Sequence, residues 1–384
     1  MRDPMTTEQR DDFLRRGFTR RDLARIAALL TAGAALPFST EPALAQGPSA
    51  MLNLPPDAVR INANENPMGP CPEAAEAVAK LVGKGGRYMY EETFKFIETM
   101  AAVEGLPKTH ILPFAGSSDA LHRAVFAFTG PGRSFVIADP GYESGEKTAQ
   151  FLGAKVLRIP LRKDYAHDVH AMAQADPAAG LIYLCNPNNP TGSVTPEADV
   201  EYLVANKPAG TIVLLDEAYI HLSKTAKPGT PLVAAGKDVI ILRSFSKIYG
   251  MAGLRAGAVL ARPDLVLKLR GYGTGGLPVI GMVAATTSLG VKGLVESRRK
   301  IIADLREETA DWLEKKGFPV IPSEANMLMF EVRRPALEVF TAMLKEKVAI
   351  GRVWPSMPQH VRISIGTRDE MAKFRQAFSR VMNV

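Results

Sequence analysis

The chain has 384 residues, of which 46% are hydrophobic and 23% are charged. These fractions are typical of soluble globular proteins, so they exclude wholesale disorder, and the length suggests about two or three domains. The net charge is +7, but basic and acidic residues are interspersed, and no Lys/Arg-rich block predicts nucleic-acid binding. Two cysteines, Cys71 and Cys185, are too few for a disulfide framework. No apolar run of 18 residues predicts a membrane span.

Residues 1–45 are typical of an export signal. The pair Arg20-Arg21 precedes an uncharged, alanine- and leucine-rich stretch over 26–38, and Ala43-Leu44-Ala45 gives the small-x-small pattern that signal peptidase recognises. This pattern resembles a twin-arginine signal peptide, which predicts a periplasmic or otherwise exported protein. The alternative is an amphipathic N-terminal helix that docks on the body or on a partner subunit, in a protein that stays in the cytoplasm.

The next part of the chain reads as an arm followed by alternating strands and helices. Residues 46–75 form the predicted arm, and apolar positions on one face predict a helix over 72–82. Short apolar runs bounded by turn residues then predict strands over 134–138, 154–159, 180–184, 211–215, 239–242 and 256–260. Helix-length segments separate several of them. We therefore expect a large domain over 76–289, a three-layer α/β/α structure around a mostly parallel sheet.

The sequence pattern changes near residue 290. A long, charged helical stretch covers 292–316, and a further helix is predicted over 335–347. Apolar segments over 320–332 and 361–365 flank that helix. This pattern predicts a smaller α/β domain over 290–384, to which the arm over 46–75 contributes.

The first polar strand end is the segment 186–192, which contains Asn189 and follows a buried strand. Its two prolines and its glycine fix the backbone, and its asparagine side chains project as hydrogen-bond donors. The alternative interpretation is an ordinary tight turn.

The second strand end carries Asp216, with Tyr219 three residues later. A carboxylate at the end of an apolar strand is costly unless a cation pairs with it, and a protonated ring nitrogen would be such a partner. A magnesium site at Asp216-Glu217 is the alternative, but the chain has no GxxxxGK[ST] phosphate loop to accompany it.

Two further segments carry serine hydroxyls, and one of them also carries cationic side chains. In one, Lys247 follows a strand, and its neighbours Ser244, Ser246 and Arg255 could hold a phosphate. A lysine among cationic and apolar neighbours can become a nucleophile, although a lone loop lysine is usually just solvated. In the other, Gly116-Ser117-Ser118-Asp119 opens a helix that runs to about residue 128. Its first turn is either an anion site or a simple N-cap.

With the frames Asn189-Pro190-Thr191-Gly192, Asp216-x-x-Tyr219 and Ser244-x-Ser246-Lys247 in this order, the chain resembles the pyridoxal-phosphate (PLP) aminotransferases of fold type I, classes I and II. More narrowly, the segments 64–70 and 362–367 resemble those of the histidinol-phosphate aminotransferases, enzymes of histidine biosynthesis. The resemblance runs from about residue 60 to the C-terminus. It implies PLP as the cofactor and amino-group transfer between glutamate or 2-oxoglutarate and a second amine or keto acid.

The resemblance also implies roles for single residues at the cofactor. Lys247 would bind the cofactor covalently and later carry the substrate's proton, while Asp216 would pair with the ring nitrogen. Asn189 and Tyr219 would hydrogen-bond the ring hydroxyl oxygen, and Tyr142 would stack on the ring. The residues implied around the phosphate are Ser117, Ser118, Asp119, Ser244, Ser246 and Arg255.

Substrate and partner contacts are implied in the same way. Arg362 would clamp the substrate carboxylate, with Asn64 beside it, and Arg352 would be a second clamp unless it is an ordinary surface arginine. Tyr88 resembles a tyrosine that reaches the phosphate of the neighbouring subunit, which predicts a homodimer with a shared active site.

Other functions on the same scaffold remain open. The alternatives are an aromatic or broad-range amino acid aminotransferase, a PLP-dependent decarboxylase or lyase, and a catalytically silent exported binding protein.

Overall fold

The structure is a computed structural model that describes residues 6–22, 24, 54–273 and 276–384. The apolar stretch 26–38 and the small-x-small pattern at Ala43-Leu44-Ala45 lie outside the described residues. The prediction of an export signal therefore stays a prediction.

A seven-stranded sheet with the order β2-β8-β7-β6-β5-β3-β4 forms the centre of the molecule. Its strands are β2 (Ile111–Phe114), β3 (Ser134–Asp139), β4 (Val156–Pro160), β5 (Ala179–Cys185), β6 (Ile212–Asp216), β7 (Val239–Ser244) and β8 (Gly257–Ala261). Only β8 runs against its neighbours; the other pairings, from β7 to β4, are parallel. The inner strands are buried along their whole length, which explains their continuous apolar runs. The predicted mostly parallel sheet is confirmed.

Helices flank this sheet and complete the α/β fold. They are α2 (Pro72–Val82), α3 (Tyr90–Glu104), α4 (Ser117–Phe128), α5 (Ser144–Phe151), α6 (Val169–Gln174), α7 (Glu197–Asn206), α8 (Thr230–Ala234), α9 (Pro263–Arg270) and α10 (Val279–Gly290). Short 3-10 helices cover Lys108–His110 and Ile220–Leu222. The predicted helix over 72–82 has the bounds of α2, and the helix predicted to open at Gly116 is α4.

The arm and the C-terminal part together form two small sheets, and the C-terminal part adds three helices. The strands are β1 (Val59–Arg60), β9 (Met327–Glu331), β10 (Val348–Ala349) and β11 (His360–Ser364), and the helices are α11 (Leu294–Lys315), α12 (Ala336–Lys345) and α13 (Arg368–Met382). β9 and β11 are antiparallel, whereas β1 pairs in parallel with β10. The arm is therefore hydrogen-bonded to the C-terminal part of the chain.

The N-terminal helix α1 (Thr7–Arg15) packs on the body. Phe13 and Phe18 are buried, and the Phe13 ring contacts the rings of Phe126 and Tyr272. The Arg16 guanidinium donates to the carbonyl oxygens of Phe126 (2.7 Å) and Thr129 (2.8 Å), near the C-terminal end of α4. Such docking is what the alternative interpretation of the N-terminus expects. It lies upstream of the arginine pair that defines the export motif.

No single helix among the described residues is both long and apolar enough to span a membrane. Together, α10 and α11 have that length and apolarity, as a pair bent by 91°.

Candidate active site

A cavity of about 360 Å³ lies at the edge of the sheet where the parallel strands end. Parallel strands bring their carboxyl ends to one edge, which is where ligands bind in such sheets. Asp216 ends β6, Ser244 ends β7, and β5 leads into the segment that contains Asn189. The sequence-predicted residues that line the cavity are Ser117, Ser118, Tyr142, Asn189, Asp216, Tyr219, Ser244, Ser246, Lys247 and Arg255.

The Lys247 ammonium is held by the arm of the chain. Its Nζ donates to the backbone oxygen of Asn64 (2.9 Å) and lies 5.5 Å from the centre of the Tyr219 ring. The Asn66 side chain donates to the backbone oxygen of Lys247 (3.0 Å) and so fixes the loop that carries the lysine. Two segments separated by about 180 residues thus position the nucleophile.

Asp216 is a buried carboxylate with two hydrogen-bond donors. Oδ1 accepts from the backbone N–H of Ala218 (3.0 Å), and Oδ2 accepts from the hydroxyl of Tyr183 (2.8 Å). Burial raises the pKa of Asp216, while the bond from Tyr183 opposes that rise. Among the residues that the structure describes, no lysine or arginine forms an ion pair with it. A cationic ring nitrogen in the cavity would supply the missing partner.

Glu217, the neighbour of Asp216, belongs to a different network. Its carboxylate pairs with Arg243 and accepts from the backbone N–H of Gly229 (2.6 Å). Because Glu217 is engaged in this buried ion pair, it is not available as a second carboxylate for a magnesium ion beside Asp216. Within the described part of the chain, no group of three or more His, Cys, Asp or Glu residues could hold a metal ion.

A hydrogen-bond chain connects the cavity to the C-terminal part. The Tyr219 hydroxyl accepts from the side-chain amides of Asn64 (3.0 Å) and Asn189 (3.3 Å). Asn189 Oδ1 in turn accepts from Nη1 of Arg362 (2.8 Å), which lies on β11 and is fully buried. Arg362 Nη2 donates to the backbone oxygen of Asn62 (2.6 Å).

The N-terminus of α4 and Arg255 form a cradle for an anion. Ser117 and Ser118 are the first two helical residues, so their backbone N–H groups have no partner within the helix. Arg255 donates to the backbone oxygens of Ala252 (2.8 Å) and Ala115 (3.1 Å). Gly116 has φ of +91°, and a Cβ there would overlap the Arg255 guanidinium. A glycine is therefore required for the arginine to approach the helix, and the cradle fits a phosphate.

Five sequence-predicted residues do not line this cavity. Asn64 and Arg362 contact it through Tyr219 and Asn189, as described above. The Asp119 carboxylate pairs with Arg123 (3.2 Å), leaving only its backbone near the cradle. Tyr88 is 82% exposed and stacks on Tyr90, with ring centres 5.5 Å apart. Arg352 is buried and paired with Glu143 (2.7 Å), so the surface-arginine alternative is wrong.

The sequence pattern did not identify two residues of the site. Tyr183 and Cys185 lie on β5, where an apolar strand pattern conceals them. Cys185 lines the cavity, and burial raises the pKa of its thiol well above the ordinary value. Cys71 and Cys185 are both free.

Comparison with known proteins identifies close relatives. The profile of the family described as aminotransferase class I and II matches residues 56–378. A histidinol-phosphate aminotransferase of Symbiobacterium thermophilum is 32% identical over 332 residues, which cover 85% of this chain and 91% of the relative. An aromatic amino acid aminotransferase of Cutibacterium acnes is 30% identical over 330 residues, 85% of this chain and 93% of the relative.

A solved structure agrees with these relatives. Histidinol-phosphate aminotransferase from Sinorhizobium meliloti, in complex with pyridoxal-5'-phosphate, superposes with a TM-score of 0.78 at 26% identity. The match covers 85% of this chain and 91% of that structure.

Proposed function

Because the chain belongs to the class I and II aminotransferases, and is thus a PLP-dependent transaminase, we propose that it transfers the amino group between histidinol phosphate and 2-oxoglutarate. The observation that carries the proposal is the meeting of Lys247, Asp216 and the Arg255 cradle in one cavity. These groups suit an aldehyde, a ring nitrogen and a phosphate. Relatives with histidinol phosphate in their names support the substrate assignment.

Bound PLP supplies an aldehyde for the amine and a ring that withdraws electrons from the substrate's α-carbon. Lys247 would hold the cofactor covalently and, once released, would move the proton at that carbon. Asp216 would keep the ring nitrogen protonated, Asn189 and Tyr219 would donate to the ring oxygen, and Tyr142 would stack on the ring. Ser117, Ser118, Ser244, Ser246 and Arg255 would hold the phosphate. Arg362 would bind the carboxylate of glutamate, and Asn64 positions Tyr219 and Lys247.

The substrate assignment is tested by comparing different amines as amino-group donors. Purified enzyme with PLP and 2-oxoglutarate is given histidinol phosphate, histidinol or phenylalanine, and glutamate formation is measured. We expect the highest kcat/KM for histidinol phosphate. A higher value for phenylalanine would instead support an aromatic aminotransferase, a relative of which is also among the matches. Carbon dioxide release from phenylalanine without glutamate formation would indicate a decarboxylase. PLP binding without turnover of any amine would indicate a silent binding protein.

We further propose a homodimer in which Tyr88 contacts the partner's cofactor phosphate. The supporting observation is a group of exposed apolar side chains on and between α2 and α3: Val82, Tyr88, Tyr90, Phe94 and Val103. Exposed apolar patches commonly mark interfaces. Sedimentation analysis should give a molecular mass twice that of one chain. Phe94→Glu should shift the equilibrium between dimer and monomer toward monomer. Tyr88→Phe should weaken PLP binding and leave the dimer intact.

Export through the twin-arginine route is proposed from the motif alone. The test is the mature N-terminus of protein recovered from a periplasmic fraction, compared with a variant that carries Arg20→Lys and Arg21→Lys. Loss of periplasmic protein in the variant is the expected result. A retained Met1 on protein from the cytoplasmic fraction would contradict export and favour the cytoplasmic alternative.

A further inference from the structure

The second arginine near the site, Arg352, already holds an anion supplied by the chain itself. Its Nη2 and Nε lie 2.7 and 3.1 Å from the two carboxylate oxygens of Glu143, a bidentate arrangement. The arginine is buried, whereas the Glu143 side chain is 32% exposed. Guanidinium groups bind carboxylates and phosphates with the same fork geometry. Glu143 therefore occupies a position that a substrate anion could take.

This ion pair lies beside the cavity. Glu143 directly follows Tyr142, which lines the cavity, and it is the N-cap residue of α5. The loop that carries Arg352 makes a second contact in the same region, where Ser356 Oγ donates to Asp139 Oδ1 (2.6 Å). The pair thus bridges the turn that holds Tyr142 and the C-terminal part of the chain.

Trp354 connects Arg352 to the carboxylate-binding arginine. The centre of its ring lies 4.5 Å from the guanidinium carbon of Arg352 and 5.0 Å from that of Arg362. The indole is buried, and its N–H has no acceptor among the described residues. Both guanidinium groups therefore lie against the same indole ring.

We propose that Glu143 is a specificity-determining residue that competes with the substrate's terminal anion for Arg352. A dianionic phosphate monoester displaces the carboxylate, which moves into water, because the dianion is the stronger ligand of a guanidinium fork. A neutral terminal group cannot displace it and gains nothing from Arg352. The inference rests on the proposed function, since it concerns a phosphate-bearing second substrate.

The test uses a probe that cannot react: histidinol phosphate without its amino group, and the same compound without its phosphate. Each is titrated calorimetrically into the holoenzyme and into Glu143→Gln. We expect the variant to bind the phosphate probe about fivefold to tenfold more tightly, the scale of a partly exposed ion pair. The KM for histidinol phosphate should fall by the same factor with little change in kcat. Affinity for the probe without phosphate should stay the same.

Three variants separate competition from a structural effect. Glu143→Asp keeps the charge and should stay within about twofold of the wild type. Glu346→Gln breaks an ion pair of similar length (2.7 Å) and similar carboxylate exposure (33%), which joins the end of α12 to Arg380 on α13, and should change nothing. In the Glu143→Gln background, Arg352→Ala should abolish the gain, since the two residues are coupled.

Two results would overturn the inference: equal or weaker binding of the phosphate probe by Glu143→Gln, or an equal gain for both probes. Failure of the proposed substrate gives a different result. In that case histidinol phosphate is not turned over by either protein, while the binding titrations still report whether Glu143 competes for Arg352.

Discussion

The hydroxyl of Tyr183, on β5, donates a 2.8 Å hydrogen bond to Oδ2 of Asp216, on β6. Both side chains are buried in the sheet, and the neighbouring backbone N–H of Ala218 binds the other carboxylate oxygen. Burial raises the pKa of Asp216, and the bond from Tyr183 limits that rise. The tyrosine thus helps to keep the carboxylate ionised and oriented toward the cavity.

Removing the Tyr183 hydroxyl should therefore raise the pKa of Asp216 further. For Tyr183→Phe we expect kcat to fall about tenfold, the worth of one hydrogen bond to a charged group. The acid limb of the pH–kcat profile should move to higher pH, because a larger fraction of Asp216 is protonated. A fall in kcat with an unmoved acid limb would instead point to a packing effect. Tyr202→Phe, on α7, is the control and should leave both unchanged.

Replacing Asp216 itself tests the electrostatic argument through stability. Because burial raises its pKa, the folded apoprotein holds this proton more tightly than the unfolded chain does. The stabilising contribution is present below the unfolded pKa of about 3.9 and is lost as pH rises through the folded value. Without PLP, Asp216→Asn should therefore gain stability relative to the wild type as the pH rises above about 4.

With PLP added, the wild type should be more stable than Asp216→Asn. The protonated ring nitrogen neutralises the buried charge of the carboxylate, which only the wild type has. Thermal unfolding of both proteins across pH, with and without PLP, measures the effect. Activity of Asp216→Asn should fall at least about a hundredfold. Equal stabilisation of both proteins by PLP would contradict the pairing of Asp216 with the ring.

Lys247 offers a chemical test of the covalent link. After PLP binding and borohydride reduction, the peptide that contains Lys247 should carry the cofactor's mass. Lys247→Ala should show no such adduct and lose more than about a thousandfold in activity. Lys300→Ala, an exposed lysine paired with Asp304, is the control and should behave as the wild type. An adduct that persisted in Lys247→Ala would identify a different nucleophile.

The sequence predicted the parts of the fold that depend on local pattern. The helix α2 has its predicted bounds, and each predicted strand of the large sheet overlaps an observed one. Strand β2 was not predicted, because it is a four-residue run that contains Pro113 and lies at the sheet edge. The reversed direction of β8 was not predicted either, since periodicity reports burial and carries no information on strand direction.

The residues of the candidate site likewise divide into those that a local motif predicts and those that it does not. Asn189, Asp216 and Lys247 stand in motifs, so their grouping in the cavity could be anticipated. Tyr183 could not, because an aromatic residue inside an apolar strand is usually a packing residue. The partner of Glu143 lies 209 residues away, and no local pattern encodes a contact of that separation.

Gly116 tests whether the phosphate cradle needs the close approach of Arg255. An alanine there would be strained at φ of +91°, and its Cβ would displace the guanidinium. For Gly116→Ala we expect the Kd for PLP to rise at least about tenfold, as a charge-assisted contact is lost. Gly105→Ala is the matched control, since Gly105 also has positive φ (+66°) but no atom lies within 4 Å of the added Cβ. Weakened PLP binding in both variants would show that backbone strain alone is responsible.

Arg16 tests whether the N-terminal segment is part of the stable fold. Its buried guanidinium donates to two backbone oxygens at the end of α4 and to the Tyr272 hydroxyl (2.8 Å). Arg16→Ala leaves these groups without that donor and should lower the free energy of unfolding by about 2 to 3 kcal/mol. Arg15→Ala, whose side chain is 70% exposed, should change it by less than about 0.5 kcal/mol.

Denaturant titration of the full-length variants measures both values. A chain that begins at residue 46 lacks the same donor and should lose at least as much stability as Arg16→Ala. A peptide of residues 6–18 added to that shorter chain should restore part of the loss, because the docking surface around Phe126 and Tyr272 is formed by the body. If the shorter chain matched the full-length protein in stability, the docked helix would contribute nothing to the fold.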